Sequence, residues 1–207
     1  MKFFRPWFFQ KYFYPDVIYR VRTNEKILYL TFDDGPGPGS TKILLSILEK
    51  YGIKSMFFCS GKKVEKYGYL VKLIKDQGHL IGNHGYNHLN GWLTPTKEYI
   101  KDIITASKLT PDKIFRPPYG RLRWGQYKRL RKTFRLVFWD LMPYDFDKSF
   151  GGASSLRILK SKIRPGSIIV LHDTSSSSCN KILEDFIIYA LKSGYGFELL
   201  SKESLCF

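Results

Sequence analysis

The sequence predicts an α/β protein, an incomplete (β/α) barrel of about seven units. Short, near-continuous apolar runs alternate with segments of helical periodicity, and no low-complexity linker or internal repeat interrupts them. This alternation is typical of a parallel sheet that helices cover on both faces. With 207 residues, of which 43% are hydrophobic, the chain can bury one substantial core. We therefore expect one main domain, with its chemistry at the carboxyl ends of the strands.

Seven apolar runs are predicted as strands. In order along the chain they read KILYLTF, KSMFFCS, HLIGNH, KIFRPP, RLVFWD, SIIVLHD and FELL. Helices are predicted between them, around residues 40–51, 62–77, 95–109, 124–133, 154–163 and 180–194. In the first helix, Ile43, Leu44 and Ile47 lie on one face, and Gly52 follows its end. Strand and helix therefore alternate along most of the chain.

The first 24 residues differ from the rest in composition. Residues 1–24 mix aromatic and basic side chains and are predicted to form an extension that packs on a domain of residues 25–207. Pro6 and Pro15 rule out one long amphipathic helix there. No run approaches the ~18 to 20 apolar residues that a membrane span requires, and no cleavable signal peptide is evident. A cytoplasmic location, or one peripheral to a membrane, is expected, and the compartment stays open.

Basic residues outnumber acidic ones, 34 against 18, for a formal net charge of +16. This excess indicates an anionic partner, such as a nucleic acid, a phospholipid surface or an acidic polymer, although scattered lysines on solvated helix faces explain it too. The densest basic run, RLRWGQYKRLRKTFR at 121–135, interleaves aromatic residues and could track phosphates. No recognised nucleic-acid-binding motif accompanies it, and an anionic glycan explains the charge as well.

The three cysteines bear on metal chemistry and redox state. Cys59, Cys179 and Cys206 are an odd number without short paired spacing. This pattern supports neither a disulfide framework nor a cysteine-based zinc site. Cys59 is expected in the core.

Polar side chains gather at the predicted strand ends. They are Asp33, Asp34, His84, Arg116, Asp140, Asp145, His172 and Asp173. Because the carboxyl ends of parallel strands meet at one rim, we expect these side chains to lie together. Asp33 and Asp34 are adjacent, and two buried carboxylates require a nearby cation.

Three of the four histidines also lie on this rim. His84 and His88, in GNHGYNH, are four residues apart, and His172 ends a later strand. Two imidazoles and one carboxylate would make a His2Asp metal site with open positions for water and substrate. One of the paired aspartates can then be a ligand and the other a base.

Five motifs carry a resemblance to a known family. TFDDGP, HGYNH, RPPYG, WDLMPYDF and VLHD, in this order, resemble the polysaccharide deacetylases of carbohydrate esterase family 4, the NodB-homology domain. The resemblance runs from about Ile27 to the C-terminus. It implies a distorted (β/α) barrel that uses one divalent ion, Zn²⁺ or else Co²⁺ or Ni²⁺, to remove N-acetyl groups from amino sugars.

The resemblance also implies a partner. An N-acetylated glycan is expected, with peptidoglycan, chitin-like oligosaccharides and exopolysaccharide all open, and with anionic or membrane-associated forms included. No nucleic acid is expected to bind, and the chain is expected to be a monomer.

The resemblance assigns roles to individual residues. Asp34, His84 and His88 would hold the metal, Asp33 would be the general base and His172 the general acid. Arg116 would tether Asp33, Asp145 would orient His172, and the backbone N–H of Tyr119 would help form the oxyanion hole. Pro117, Phe146 and Val170 would line the pocket for the acetyl group.

Some positions depart from the family pattern. Gly85 stands where a Ser or Thr hydroxyl usually supports the metal-binding turn, and the lost hydrogen bond would weaken metal binding ~10 to 100-fold unless Asn87 or a backbone group substitutes. Gly85→Ser is expected to tighten metal binding if the backbone there does not require positive φ. Phe146 replaces a usual Trp, Met142 a common Asp and Val170 a usual Leu, so the acyl preference is less determined than the reaction.

Three tryptophans are assigned positions, and two other classes of protein are considered as alternatives. Trp92 and Trp124 are candidates for stacking on sugars, whereas Trp139 is expected in the core. A catalytically inactive carbohydrate-binding relative would be expected to lack a ligand or the base, and none is missing. A basic nucleic-acid-binding protein is the other alternative.

Overall fold

Strands and helices alternate throughout the part of the chain that the structure, a computed structural model, describes: residues 4–5, 12–201 and 204. Seven strands lie in these residues: β1 Ile27–Asp33, β2 Met56–Cys59, β3 Leu80–Asn83, β4 Ile114–Phe115, β5 Arg135–Leu136, β6 Ile168–His172 and β7 Gly196–Phe197. Seven α-helices separate them: α1 Thr41–Lys50, α2 Gly61–Lys66, α3 Gly68–Asp76, α4 Thr96–Ser107, α5 Trp124–Leu130, α6 Gly152–Lys162 and α7 Cys179–Lys192.

All strand pairs are parallel, and the sheet order is β5-β4-β3-β2-β1-β6, with β7 paired to the start of β1. The register places Asp33 of β1 beside His172 of β6. An isolated bridge between Leu141 and Ile169 connects the segment after β5 to β6, so the sheet curls back on itself without a continuous last ladder. The fold is a distorted, incomplete (β/α) barrel, as the sequence predicts.

The two faces of β1 explain where the site lies. Leu28, Leu30 and Phe32 belong to the apolar cluster that includes residues of α1 and α7. The alternate positions Tyr29 and Thr31 turn the other way, since successive side chains of a strand point to opposite faces, and Tyr29 packs with a second cluster that contains Phe58, Ile114, Val137 and Ile168. Asp33 continues this second series. The strand therefore carries its last carboxylate into the mouth of the barrel.

Two features of the fold differ from the prediction. The helix expected over 62–77 is two helices, because Tyr67 leaves the helical conformation (φ −121°, ψ 43°) between α2 and α3. Strands β4, β5 and β7 have only two residues each, shorter than the apolar runs that predict them. None of the helices in the described residues combines the length and apolar character needed to cross a membrane.

The predicted N-terminal extension is described only in part. Residues 1–3 and 6–11 lie outside the described residues, so the extension and its boundary at residue 24 stay predictions. Of the residues that follow, Val17 and Tyr19 are buried in an apolar cluster with Phe138. The Tyr14 hydroxyl donates a hydrogen bond to the carbonyl of Leu122.

Asp140 does not lie on the rim where the sequence predicts it. Its buried carboxylate accepts hydrogen bonds from Ser167 Oγ at 2.7 Å and Arg164 Nε at 3.0 Å, and it also pairs with Arg5. Arg164 and Ser167 precede β6, whereas His172 ends it. Asp140 therefore fastens the opposite end of this strand, because the chain after β5 has lost the regular strand geometry that the prediction assumes.

We expect Asp140→Asn to lower the free energy of unfolding by about 3 kcal/mol, because the change leaves the guanidinium groups around a buried position without their counter-charge. Urea unfolding followed by circular dichroism measures this difference. The matched control is Asp76→Asn, which removes an exposed carboxylate paired with Lys72 and should change stability by less than about 1 kcal/mol. Equal stability of the two variants would contradict this role for Asp140.

Candidate active site

A cleft of about 420 Å³ opens at the carboxyl ends of the strands. Its lining consists of Asp33, Asp34, His84, His88, Pro117, Tyr119, Gly120, Arg121, Trp139, Met142, Tyr144, Phe146, Val170 and His172. Nine of the eleven site residues that the sequence predicts are in this lining; the other two, Arg116 and Asp145, lie directly behind it. The structure thus brings the predicted set together in one place.

Arg116 holds Asp33 from within the barrel. Its guanidinium is fully buried, and Nη1 donates to Asp33 Oδ1 and to Thr31 Oγ1, both at 2.7 Å. The other carboxylate oxygen of Asp33 lies 3.9 Å from Nε2 of His84. One oxygen of Asp33 is therefore held by Arg116 while the other faces the histidines.

Asp34, His84 and His88 form a group that could hold a metal ion. Their ligand atoms all lie within 4.8 Å of one another. Asp34 Oδ1 is 2.9 Å from His88 Nε2 and 3.6 Å from His84 Nε2. Ligand atoms about 2.0–2.2 Å from a shared ion are separated by about 3.0–3.5 Å, so only small movements would be needed. One carboxylate and two imidazoles suit Zn²⁺ and neighbouring divalent ions.

The protonation of this group also fits a metal site. Nδ1 of His84 lies 2.8 Å from the carbonyl of Arg116, which can only accept, so Nδ1 carries the proton and Nε2 presents a lone pair. Burial lowers the pKa of His84 to about 4, which keeps the imidazole neutral. Burial alone would raise the pKa of Asp34, but the hydrogen bond with His88 and the nearby imidazoles hold it well below its usual range. Asp34 and His84 are thus in the forms that bind a cation.

The turn that carries His88 depends on a residue that the sequence analysis does not identify. Asp102, buried on α4, accepts hydrogen bonds from the backbone N–H of Tyr86 at 2.8 Å, from the backbone N–H of Asn87 at 3.0 Å and from Asn87 Nδ2 at 2.6 Å. Asn87 thus helps replace the missing hydroxyl, one of the alternatives that the sequence leaves open. Asp102 is hard to find beforehand, because a single carboxylate on an amphipathic helix is usually solvated.

Gly85 is required by the backbone of the same turn. Its φ is +73°, and an added Cβ would lie 2.9 Å from Asp102 Oδ2. The condition attached to the expectation for Gly85→Ser is therefore not met. The expectation that Ser would tighten metal binding does not apply, because the side chain would strain the backbone and displace the carboxylate that supports the turn.

His172 faces the cleft from the end of β6. Its Nδ1 lies 2.8 Å from Asp145 Oδ1, and its backbone N–H donates to Asp145 Oδ2, also at 2.8 Å. Burial by itself lowers the pKa of His172, but the Asp145 carboxylate, with Asp34 and Asp33 farther away, raises it to about 9. The ring packs against Phe146, with 4.6 Å between centroids. His172 is therefore held as an imidazolium whose Nε2 remains available.

Apolar and aromatic residues form the rest of the cleft. Val170, fully buried beside His172, lies there with Met142 and Tyr144. The sequence predicts Trp139 as core, whereas the structure has it packing on the Phe138 cluster and also lining the cleft. Both tryptophans predicted to stack on sugars are exposed, Trp92 at 55% and Trp124 at 49%, and Trp124 also stacks on Tyr127 with centroids 5.1 Å apart. The apolar walls suit a small methyl-bearing group.

Asp173, which follows His172, points away from this cleft. Its fully buried carboxylate accepts hydrogen bonds from the hydroxyls of Ser40 and Thr41 at the start of α1. An added Cβ at Gly35 would lie 2.4 Å from Asp173 Oδ2. Asp173 thus fixes the loop that follows Asp34 and does not contribute to the cleft surface.

Left-handed backbone conformations are concentrated in the cleft. Among the described residues, the non-glycine residues with positive φ are Asp34 (69°), His88 (56°), Tyr119 (60°) and Tyr144 (61°). All four belong to the cleft lining. In the described residues, the backbone N–H of Tyr119 donates to no protein acceptor. The strained turns therefore contribute residues to the cleft lining, and the Tyr119 N–H has no protein acceptor in the described residues.

Comparison with known proteins places these features in context. The family model for polysaccharide deacetylase matches residues 20–133. A peptidoglycan-N-acetylglucosamine deacetylase of Bacillus cereus is 31% identical over 196 residues, which are 90% of this chain and 92% of that protein. The crystal structure of the Bc1960 peptidoglycan N-acetylglucosamine deacetylase has a TM-score of 0.82 at 30% identity and covers 89% of this chain and 91% of that one.

An inactive protein shares the fold. The structure of BA3943, a CE4 family pseudoenzyme from Bacillus anthracis, has a TM-score of 0.80 at 26% identity and covers 92% of this chain and 69% of that chain. Proteins with this fold can therefore be active or inactive, and activity depends on the residues of the cleft.

We expect Gly85→Ser to weaken Zn²⁺ binding at least ~10-fold, because the variant strains the turn that positions His88. Competition with a calibrated chelator measures the affinity. Gly68→Ser is the matched control, since Gly68 does not have positive φ and an added Cβ there would meet nothing within 4 Å. Zinc affinity equal to that of the unaltered chain in a folded Gly85→Ser protein would show that the turn tolerates a side chain.

Proposed function

The chain belongs to the polysaccharide deacetylase family, and we propose that it is a metal-dependent hydrolase that removes N-acetyl groups from a peptidoglycan-type glycan. One observation carries the proposal. A single cleft holds the Asp34, His84 and His88 group together with Asp33 and His172. A base, a cation site and an acid are the three components that amide hydrolysis requires.

Asp34, His84 and His88 would hold the ion. A divalent cation there would polarise the acetamide carbonyl and lower the pKa of a bound water. Asp34 supplies a negative charge that favours cation binding, and the imidazoles of His84 and His88 would supply nitrogen lone pairs to the ion. The hydrogen bond between Nδ1 of His84 and the Arg116 carbonyl keeps one ring oriented, and Asp102 keeps the His88 turn in place.

Asp33 is the proposed general base. Arg116 occupies Oδ1, so Oδ2 is the oxygen that accepts a proton from the attacking water. Water adds to the carbonyl carbon as this proton leaves it. The N–H of Tyr119, which has no protein acceptor in the described residues, would donate a hydrogen bond to the carbonyl oxygen as negative charge develops there.

His172 is the proposed general acid. With Nδ1 held by Asp145, the proton on Nε2 can pass to the nitrogen of the scissile amide. The carbon–nitrogen bond then breaks to give acetate and a free amine on the sugar, because the nitrogen is a poor leaving group until it is protonated. Val170, Met142 and Trp139 form the apolar side of the cleft that would receive the acetyl methyl group.

The site residues also bear on the alternative of an inactive relative. A pseudoenzyme is expected to lack a ligand, the base or the acid, and this cleft retains candidates for each. This completeness supports activity. The glycan is proposed from the names of the relatives, and other N-acetylated glycans offer the same acetamide.

We expect the protein to release acetate from an N-acetylated glycan oligomer and to lose this activity in the presence of a chelator. Asp33→Asn and His172→Ala should each lower turnover by about 10²- to 10⁴-fold, because each removes one proton-transfer group. Acetate release measures the rate, and the zinc content of Asp33→Asn should equal that of the unaltered chain. Asp76→Asn is the control for loss of an acidic residue. Unchanged turnover in either active-site variant would contradict the assigned role.

The pH dependence of kcat/KM tests the His172–Asp145 pair separately. The general acid must be protonated, so kcat/KM should fall as pH rises through the pKa of His172, which is about 9. Asp145→Asn removes the carboxylate that most raises this pKa, so the alkaline decline should begin at lower pH. At pH 8 the variant should therefore be impaired more than at pH 6. An alkaline limb at the same pH in both proteins would assign it to another group.

A further inference from the structure

We propose that Arg121 binds a carboxylate on the sugar next to the one that is deacetylated, and so makes the cleft selective for anionic glycans. This inference rests on the proposed function and names the substrate class for the same site. Arg121 lies in the cleft lining. It belongs to the basic segment 121–135, whose role neither the fold nor the proposed chemistry explains.

Arg121 lies between two exposed aromatic rings that lead outward from the proposed metal group. Its guanidinium carbon is 5.0 Å from the centroid of Trp92 and 6.0 Å from that of Tyr119. Tyr119 in turn packs edge-on against His88, with 4.7 Å between centroids. The rings of Trp92 and Tyr119 are 55% and 59% exposed. The row His88, Tyr119, Arg121, Trp92 therefore extends from the cleft centre to the surface.

The loops that carry this row are fixed by buried contacts. Gln126, fully buried, donates from Nε2 to the carbonyls of Gly91 at 2.9 Å and Thr94 at 3.1 Å. A Cβ on Gly91 would lie 2.2 Å from the carbonyl oxygen of Arg121, so the two loops touch backbone to backbone. The positions of Trp92 and Arg121 are thus set before any ligand binds.

Three further hydrogen bonds join Trp92 to the loop of Arg121. The indole N–H of Trp92 donates to the carbonyl of Leu122 at 3.3 Å. The side chain of Arg123 donates to the carbonyl of Trp92 from Nε at 3.0 Å and from Nη2 at 2.6 Å. Arg123 is therefore engaged in holding the loop, whereas Arg121 is the cation presented to the cleft.

The charge of Arg121 is not neutralised within the described residues. Arg116, Arg131 and Arg164 pair with aspartates, whereas Arg121 makes no ion pair in the described part of the chain. A guanidinium stacked on aromatic faces keeps its N–H groups free for in-plane, bidentate hydrogen bonds to a carboxylate. Aromatic faces beside it can stack on sugar rings. A saccharide that carries a carboxylate satisfies both features.

Two chemical sources could supply that carboxylate next to an N-acetylated sugar. One is the lactyl group of a muramic acid residue that carries no peptide, in the alternating muramic acid and N-acetylglucosamine chain of peptidoglycan, and the other is a uronic acid. The carboxylate is the shared chemistry.

The test compares kcat/KM on four oligomers of equal length. They are the alternating peptidoglycan tetrasaccharide with free lactyl carboxylates, the same oligomer with methylamides in their place, an oligomer with uronic acid as the neighbouring sugar, and the uncharged N-acetylglucosamine tetramer. The unaltered chain should prefer a carboxylate-bearing oligomer. Arg121→Ala should lower kcat/KM on it about fivefold or more, chiefly through KM, and should leave the amide and uncharged oligomers nearly unchanged. Arg121→Lys should retain part of the preference.

Controls separate this inference from the proposed function. Arg129→Ala removes an exposed arginine that is outside the cleft lining and should not change the preference. Calorimetric binding of the carboxylate and amide oligomers to Asp33→Asn, and to its Arg121→Ala double variant, tests Arg121 without turnover. Failure to release acetate from any oligomer would overturn the proposed function, whereas a binding and rate preference that survives Arg121→Ala, or is absent from the unaltered chain, would overturn the role of Arg121.

Discussion

The buried ion pair between Arg116 and Asp33 is the interaction on which the geometry of the cleft depends. Burying a guanidinium costs several kcal/mol unless charge and hydrogen bonds compensate it. Here Asp33, Thr31 and the carbonyls of Val137 and Phe138 accept from it, and the ring of Phe58 lies 4.0 Å below it. These partners come from β1, β2 and the chain after β5. One side chain therefore joins the long first strand to the irregular chain after β5, and its own carbonyl orients His84.

Much of this arrangement could be predicted because two simple rules coincide. Apolar runs separated by helices require a parallel sheet, and a parallel sheet brings all its carboxyl ends together. Polar residues at those ends, such as Asp33, His84 and His172, then converge whatever the details of packing. The four-residue spacing of His84 and His88 is enough to predict that they lie together, because a short turn keeps them close. The resemblance to a known family added the individual roles.

The features that the sequence did not reveal depend on contacts between distant segments. Asp102 is sixteen positions from Tyr86, and nothing in its helix marks it as an acceptor for a turn. Asp140 looks like a rim residue, but irregular chain after β5 directs it to Arg164. Trp139 is both core and cleft wall, a distinction that hydrophobicity alone does not make. Gly85 looked like a loss relative to a hydroxyl, and only its φ shows that glycine is required there.

The four left-handed residues of the cleft have a consequence for how the protein loses function. Each such conformation costs of order 1–3 kcal/mol and persists only while the surrounding structure enforces it. In the described residues, the strands and α-helices contain no non-glycine residue in this strained conformation. Moderate heat or denaturant should therefore relax these turns while the barrel stays folded, since regions of low local stability open first. Inactivation would then precede unfolding. The time for which the protein stays active would depend on the stability of the turns around the cleft and not on the stability of the core.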